Sequence, residues 1–157
     1  MDKIPVGISA CLMGDEVRYN GGHKRDAYIN GTLADHFSFH RFCPEVGIGL
    51  GVPRPTLRLI ATDDDTRAVR TEDQAFDVTE QLVNYSREQF AEISQLSGLI
   101  LKRDSPSCGM ARVKVYGAAG ARPEGRGVFA RTVMEQFPCL PVEEEGRLGD
   151  PGLRENF

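Results

Sequence analysis

The sequence is poor in the features that mark membrane and secreted proteins. It has no tryptophan and four cysteines among 157 residues, and no two cysteines form a CxxC pair. No apolar run approaches the roughly 20 residues that a membrane span requires. The N-terminal segment MDKIPVGISACLMG lacks the long apolar region and the cleavage site of a secretory signal. We therefore predict a cytoplasmic protein without membrane contact, whose cysteines are thiols, metal ligands or catalytic groups rather than disulfides.

Positive charge is also in short supply. The chain has 19 Lys and Arg residues against 23 Asp and Glu residues, which gives a net charge of −4. A chain with this balance is not a general polyanion binder. Contact with nucleic acid would need a local basic patch or a partner domain.

Strand-like and helix-like segments alternate along the chain. Short apolar runs predict strands, and the periodic apolar positions of residues 77–96 predict the clearest helix. The alternation predicts an α/β protein, a Rossmann-like three-layer sandwich with a mostly parallel sheet and a small hairpin around the acidic turn at residues 62–65. We predict strands at residues 4–10, 39–42, 56–61, 67–71, 99–101, 113–116 and 139–142, helices at 25–37, 77–96 and 128–137, and loops at 43–55 and 117–127.

The chain length fits one domain with a buried core. Because the last predicted strand ends at residue 142, we predict a domain at residues 1–142. The polar tail at residues 143–157 is then a linker to a C-terminal domain outside this sequence. A mobile C-terminus is the alternative, and composition does not distinguish the two.

Three of the four cysteines follow predicted strands. Cys11 follows the first strand, Cys43 follows the second, and Cys108 lies in the turn after residues 99–101. Because ligands of parallel α/β sheets bind at the carboxyl ends of the strands, these three thiols are expected at one edge. Cys139 begins a strand that follows a helix, which places it at the opposite edge as a small buried residue.

Three converging thiolates without a fourth protein ligand would leave an open coordination position, which is typical of catalytic metal sites. A [4Fe–4S] cluster and a zinc ion both suit thiolate ligands, and the residues alone leave that choice open. The alternative for each cysteine taken singly is a buried apolar residue without a metal.

Polar residues next to these cysteines are candidate catalytic groups. Glu45 follows Cys43 by two residues, and the intervening Pro44 restricts the backbone, so its carboxylate could move protons near the metal position. The turn SPSCG carries two hydroxyls, Ser105 and Ser107, that could orient a substrate heteroatom. A solvated loop glutamate and ordinary turn chemistry are the alternatives.

A basic loop, RYNGGHKR, follows the first strand. Its positive charge, aromatic ring and two glycines suit a nucleobase or a nucleotide phosphate. A solvated loop before a helix is the alternative. The candidate substrate-binding residues are Tyr19, Asn20, Gly21, His23, Lys24 and Arg25.

Four segments carry a resemblance to a known family. SACLMGDEVRYNGGHKR, FCPEVGIGLGVPRPTLRL, DVTE and LKRDSPSCG resemble, in order and spacing, the thiouracil desulfidase family DUF523. The resemblance implies a [4Fe–4S] cluster on Cys11, Cys43 and Cys108. It implies non-redox removal of sulfur from thiouracil-type substrates, with the sulfur captured by the free iron. It also assigns the family's acidic residue to Glu45 and its motif serine to Ser105, with Ser107 as a second candidate.

The tail GDPGLRENF resembles the junction with a second domain, DUF1722, in longer relatives. Those longer proteins resemble enzymes that act on thiolated uridine in RNA. The expected substrate is thus a thiolated uracil base, a thiouridine nucleotide or 4-thiouridine in tRNA. Two other functions are the alternatives: a zinc-dependent nucleobase hydrolase, and a non-enzymatic RNA-binding accessory domain.

Overall fold

The computed structural model describes residues 3–31, 33–63 and 65–145. The predicted α/β class with a mostly parallel sheet is confirmed. Short 3-10 turns at Ala10–Met13 and Leu33–Asp35 join the main elements. In chain order these elements are β1 (Ile4–Ser9), α1 (Ala27–Gly31), β2 (Phe37–Phe42), α2 (Pro44–Gly47), β3 (Leu57–Ala61), β4 (Thr66–Arg70), α3 (Thr79–Glu88), α4 (Phe90–Ile93), β5 (Gly98–Leu101), β6 (Val113–Gly117), β7 (Gly120–Gly125), α5 (Val128–Gln136) and β8 (Val142–Glu144).

The first sheet has the strand order β2-β1-β5-β8, and all of its pairings are parallel. All four residues of β5 are buried, as expected of a central parallel strand with both faces covered. Gly7 in β1 permits close packing, because a Cβ there would lie 2.4 Å from a Leu99 methyl group and 2.9 Å from the Phe42 ring. Since β1 lies between β2 and β5, the carboxyl ends of these three strands meet at one edge.

The second sheet has the order β4-β3-β6-β7 and is mixed. The predicted hairpin is present as β3 and β4, and β6 extends it by pairing parallel to β3. The predicted loop at residues 117–127 is wrong, because residues 120–125 form β7 in an antiparallel hairpin with β6. Gly120 has a φ of 104°, a left-handed conformation that suits the tight turn into β7.

Other sequence predictions differ from the structure in position or length. The predicted loop at residues 43–55 contains α2, which Pro44 starts at its first helical position. The predicted helix at residues 77–96 is two helices, α3 and α4, separated at Gln89. The predicted helix at residues 25–37 is shorter, since α1 ends at Gly31. The predicted strand at residues 139–142 is wrong, because β8 begins only at Val142.

The last strand continues past the residue at which the predicted domain ends. β8 continues to Glu144, whereas the predicted domain ends at residue 142. The linker predicted at residues 143–157 falls mostly on residues 146–157, which lie outside the described residues. In the described part of the chain, no helix has both the length and the apolar character needed to cross a membrane.

Candidate functional site

Three cysteines from distant segments line one cavity of about 420 Å³. Cys11 lies in the 3-10 turn after β1, Cys43 is the extended residue that precedes α2, and Cys108 lies in the turn after β5. Their three strands are neighbours in the first sheet, which explains why the thiols converge. Cys139 lies in the turn before β8 and is exposed, so the prediction that it is buried was wrong.

The turn that carries Cys108 is fixed by the start of α5. The amides of Val128 and Phe129 donate to the carbonyls of Pro106 and Ser107 at 3.0 and 2.9 Å, which satisfies the first free amides of that helix. At the preceding Gly127, a Cβ would lie 2.5 Å from the carbonyl oxygen of Ser107. Glycine is thus the residue that lets the helix approach the turn so closely.

Burial raises the pKa of all three thiols. For Cys11 the pKa rises to about 11, although the nearby Lys102 ammonium opposes the shift. Burial is also the main cause for Cys43 and Cys108, and a hydrogen bond from Ser9 opposes it at Cys108. Charge on Cys43 further raises the pKa of both other thiols. Three adjacent thiolates would therefore repel one another without a cationic group between them.

These residues match the requirements of an open iron–sulfur site in donor type, number and enclosure. Among residues 3–31, 33–63 and 65–145, no three His, Cys, Asp or Glu side chains lie close enough to hold a single metal ion. In a cubane cluster each thiolate ligates a different iron, so three sulfurs need not meet at one point. The cavity volume is within the range of about 300–1,000 Å³ that is usual for small-molecule sites.

A carboxylate is held in the wall of the same cavity. Arg54 Nε donates to Glu45 Oε1 at 3.0 Å, and Ser107 Oγ donates to Glu45 Oε2 at 2.9 Å. The ion pair is well shielded, because the side chains of Arg54 and Glu45 are 4% and 13% exposed. Arg54 Nη1 is held in turn by the carbonyl of Gly51 at 3.0 Å. With both oxygens occupied by donors, the Glu45 carboxylate has a defined orientation.

The two candidate serines differ in what they contact. Ser105 Oγ accepts the amides of Ser107 and Cys108 at 3.2 and 3.0 Å, so it shapes the turn. Ser107 is the serine that contacts the carboxylate. Both line the cavity. The resemblance favoured Ser105, whereas the geometry brings Ser107 to Glu45.

The predicted substrate-binding loop reaches the cavity with some of its residues. Tyr19 and Lys24 line the described wall, together with Arg18, whose guanidinium lies 5.4 Å from the Tyr19 ring centre. The remaining candidates make contacts within the loop or with the backbone next to it. Asn20 Oδ1 accepts the amide of Gly22, Gly21 has a φ of 79°, His23 Nδ1 accepts the amide of Arg25, and the Arg25 stem packs beside Gly14.

Sequence reasoning missed much of the charge in this cavity. Arg54, Lys102 and Arg103 line the wall in addition to the predicted residues. Arg54 lies within a loop rich in Gly and Pro, where no sequence pattern predicted that a single cation would belong to the site. Five basic side chains and two carboxylates line the described wall, namely Arg18, Lys24, Arg54, Lys102 and Arg103 with Glu45 and Asp104.

Ser9 links two parts of this site, and its replacement by alanine is expected to destabilise the protein. Its buried Oγ accepts the amide of Lys102 at 2.9 Å and hydrogen-bonds the Cys108 thiol. Loss of a partner for a buried donor costs about 1–3 kcal/mol. Denaturant unfolding of Ser9→Ala should show that loss, whereas Ser94→Ala, at an exposed helix end, should change the free energy of unfolding by less than about 0.5 kcal/mol. Equal effects of the two variants would show that the Ser9 bonds contribute nothing.

A family model and two known proteins match this chain. The model of the family described as 2-thiouracil desulfurase matches residues 6–145. The uncharacterized protein YbbK of Bacillus subtilis (strain 168) is 33% identical over 135 residues, which cover 82% of this chain and 88% of that protein. The solved structure of the [4Fe-4S]-dependent thiouracil desulfidase TudS superposes with a TM-score of 0.71 at 26% identity and covers 99% of both chains.

Proposed function

The chain belongs to the 2-thiouracil desulfurase family, and from this premise we propose that it removes sulfur from thiolated uracil with the help of a [4Fe–4S] cluster. The reaction exchanges the thiocarbonyl sulfur for the oxygen of water, C=S + H₂O → C=O + H₂S, with no electron gained or lost. The observation that carries the proposal is the convergence of three thiols on one cavity beside an oriented carboxylate. The cofactor named for the similar TudS supports it.

Cys11, Cys43 and Cys108 would hold the cluster. When bound through three thiolates, it supplies one iron without a protein ligand, a Lewis acid with affinity for sulfur. Each thiol must release a proton to become a ligand. Because burial raises the pKa of these thiols, binding of the cluster is favoured at higher pH. The Lys102 charge favours the thiolate form of Cys11.

We assign proton transfer to Glu45. Its carboxylate would accept a proton from the attacking water and return one to the departing sulfur, as a general base and then a general acid. Arg54 and Ser107 act as positioning residues, since they fix the two carboxylate oxygens. Ser105 positions Cys108 through the amides of the turn.

The charge of the cavity favours a substrate that carries phosphate. Within the described residues, Arg18 and Lys24 form no ion pair, and both face a cavity in which basic side chains outnumber carboxylates. Tyr19, 40% exposed beside them, offers a ring on which a pyrimidine can stack. We therefore place a thiouridine nucleotide, or thiouridine in RNA, ahead of the free base.

The Lys24→Gln variant tests this choice. Because a phosphate would lose one cationic partner, KM for 4-thiouridine monophosphate is expected to rise about 3- to 10-fold, while KM for free thiouracil stays within about twofold. Lys3→Gln removes an equal charge just before β1 and should leave both values unchanged. An equal rise for nucleotide and base would count against phosphate recognition by Lys24.

The RNA substrate and the cytoplasmic location extend the same proposal. All four cysteines lie in the described residues and are free of disulfides, as suits a reducing compartment. With a net charge of −4, the chain would bind tRNA through the local cations of the cavity or through a domain joined by the linker proposed at residues 143–157.

Sulfide release by protein purified without oxygen tests the proposed reaction. With thiouracil and 4-thiouridine monophosphate as substrates, release of sulfide by iron-containing protein is expected. Activity with zinc in place of iron would instead identify a hydrolase of the zinc class. Salt-sensitive RNA binding that survives loss of the three cysteines, without sulfide release, would identify an accessory domain. Family membership favours desulfidation over both.

A further inference from the structure

A second cavity, of about 730 Å³, adjoins the active-site cavity. The two share four wall residues, so they lie next to each other. The shared residues come from the start of β3 and from the segment after β5, and are Leu57, Arg103, Asp104 and Pro106. The rest of the second wall is built mainly by β3, β6 and the loop that precedes β6.

Basic side chains predominate in the second cavity. Among the described residues, four cations and two carboxylates line it, namely Arg58, Arg103, Arg112 and Lys114 with Asp104 and Glu144. One carboxylate is already engaged, since Glu144 Oε2 accepts the amide of Met110 at 3.0 Å. The other, Asp104, lies 3.4 Å from Arg103. Arg58 and Lys114 make no ion pair within the described residues, which leaves their positive charge for an anionic ligand.

Arg58 has an unmet hydrogen bond in this wall. Its guanidinium stacks on the Tyr116 ring with 4.6 Å from the carbon to the ring centre. Its buried Nε is a donor without a hydrogen-bond partner in the described part of the chain. A buried donor without an acceptor is unfavourable and leaves this guanidinium incompletely paired, and a phosphate in the cavity would give the guanidinium fork an anionic partner.

The backbone holds the cavity rim in an unusual conformation. Among the described residues, the two non-glycine residues with positive φ are Asp104 at 64° and Arg112 at 59°, and both line this cavity. Left-handed backbone is uncommon for a side chain such as that of Arg112, and such conformations concentrate at functional sites. The loop from residue 104 to residue 112 thus holds its one cation, Arg112, in this wall at some conformational cost.

We propose that the second cavity is a subsite for a second phosphate group of the substrate, held by Arg58 and Lys114 next to the active-site cavity. The inference rests on the proposed function in one respect, that the first cavity takes a uridine nucleotide. Two sources supply the same chemistry: the terminal phosphates of a nucleoside triphosphate, and the next phosphodiester of an oligonucleotide. Arg103, which lines both cavities, would lie between the two phosphates.

Calorimetric titration of the reconstituted full chain with sulfur-free ligands tests the subsite without turnover. UMP carries one phosphate, UTP adds terminal phosphates, and the dinucleotide pUpU adds a phosphodiester. We expect UTP, pUpU or both to bind at least about fivefold more tightly than UMP. Arg58→Gln and the exposed Lys114→Gln should each remove most of that gain and leave the Kd of UMP within about twofold. Arg122→Gln, an exposed charge on β7, should keep the gain.

Each outcome decides the inference. A gain for UTP alone identifies terminal phosphates, and a gain for pUpU alone identifies the phosphodiester. Equal Kd values for all three ligands in the unsubstituted protein would overturn the subsite, as would a gain that survives both Arg58→Gln and Lys114→Gln. If sulfide release from 4-thiouridine monophosphate proceeds while the gain is absent, the proposed reaction stands and the subsite falls. If the gain in affinity is present but no sulfide is released, the subsite stands and the proposed reaction falls.

Discussion

Replacement of Cys108 by alanine is expected to abolish sulfide release and to lower the iron content of the reconstituted protein. The loss of activity should exceed about 100-fold, since even residues that merely orient a metal ligand cost about 10- to 100-fold when they are replaced. Cys108 is the most enclosed of the three thiols, because β5, the turn and α5 all contribute to its surroundings. Cys11→Ala and Cys43→Ala are expected to act in the same direction.

Cys139→Ala provides the matched control for this experiment. Cys139 is exposed and lies in the turn before β8, away from the strand ends that carry the other three cysteines. Its replacement should leave both iron content and sulfide release unchanged. If Cys108→Ala binds as much iron as the unsubstituted protein, Cys108 is not a ligand. If Cys139→Ala loses iron, the set of three ligands is wrong.

The Glu45→Gln variant is expected to lose about 10²- to 10⁴-fold in sulfide release while it keeps its iron, because a positioned general acid or base contributes about that factor. Glutamine keeps the shape of the side chain, and its one amide oxygen can accept from Arg54 while its NH₂ group donates to Ser107 Oγ. The 4% exposed Arg54 guanidinium loses its anionic partner and keeps only a neutral acceptor, so the free energy of unfolding should fall by about 1–3 kcal/mol. Ser107→Ala removes one of two orienting contacts and should cost about tenfold in activity.

Iron content separates catalysis from assembly in this series. Glu124→Gln, an exposed carboxylate on β7, is the control for the change in charge. If Glu45→Gln retains full activity, proton transfer belongs to another group or to solvent. If it loses iron as well as activity, Glu45 supports the metal site rather than the proton transfer.

The position of the three cysteines could be predicted from the sequence because it depends on simple rules. Apolar runs identify buried strands, parallel strands share their carboxyl ends at one edge, and each cysteine follows such a strand. The structure brings Cys11, Cys43 and Cys108 together for this reason. Cys139 shows the limit of the reasoning, because its burial was predicted from a strand that begins three residues later, at Val142, and leaves Cys139 exposed.

The partners of the carboxylate could not be predicted. Arg54 is nine residues from Glu45 in a loop without periodicity, and only the folded path of that loop brings the two together. Ser105 and Ser107 are similar in sequence context, so the turn geometry decides which hydroxyl points to the carboxylate. β7 was missed because Gly120 and Pro123 are typical of loops, whereas pairing with β6 stabilises the strand.

The most direct test of the account is the iron and acid-labile sulfide content of the full chain purified and reconstituted without oxygen. Three cysteine ligands around one cubane predict about four irons and about four sulfides per chain, and a fall in both for the Cys11, Cys43 and Cys108 variants. Active protein that contains zinc or no metal, or iron content that is insensitive to these three replacements, would contradict the account.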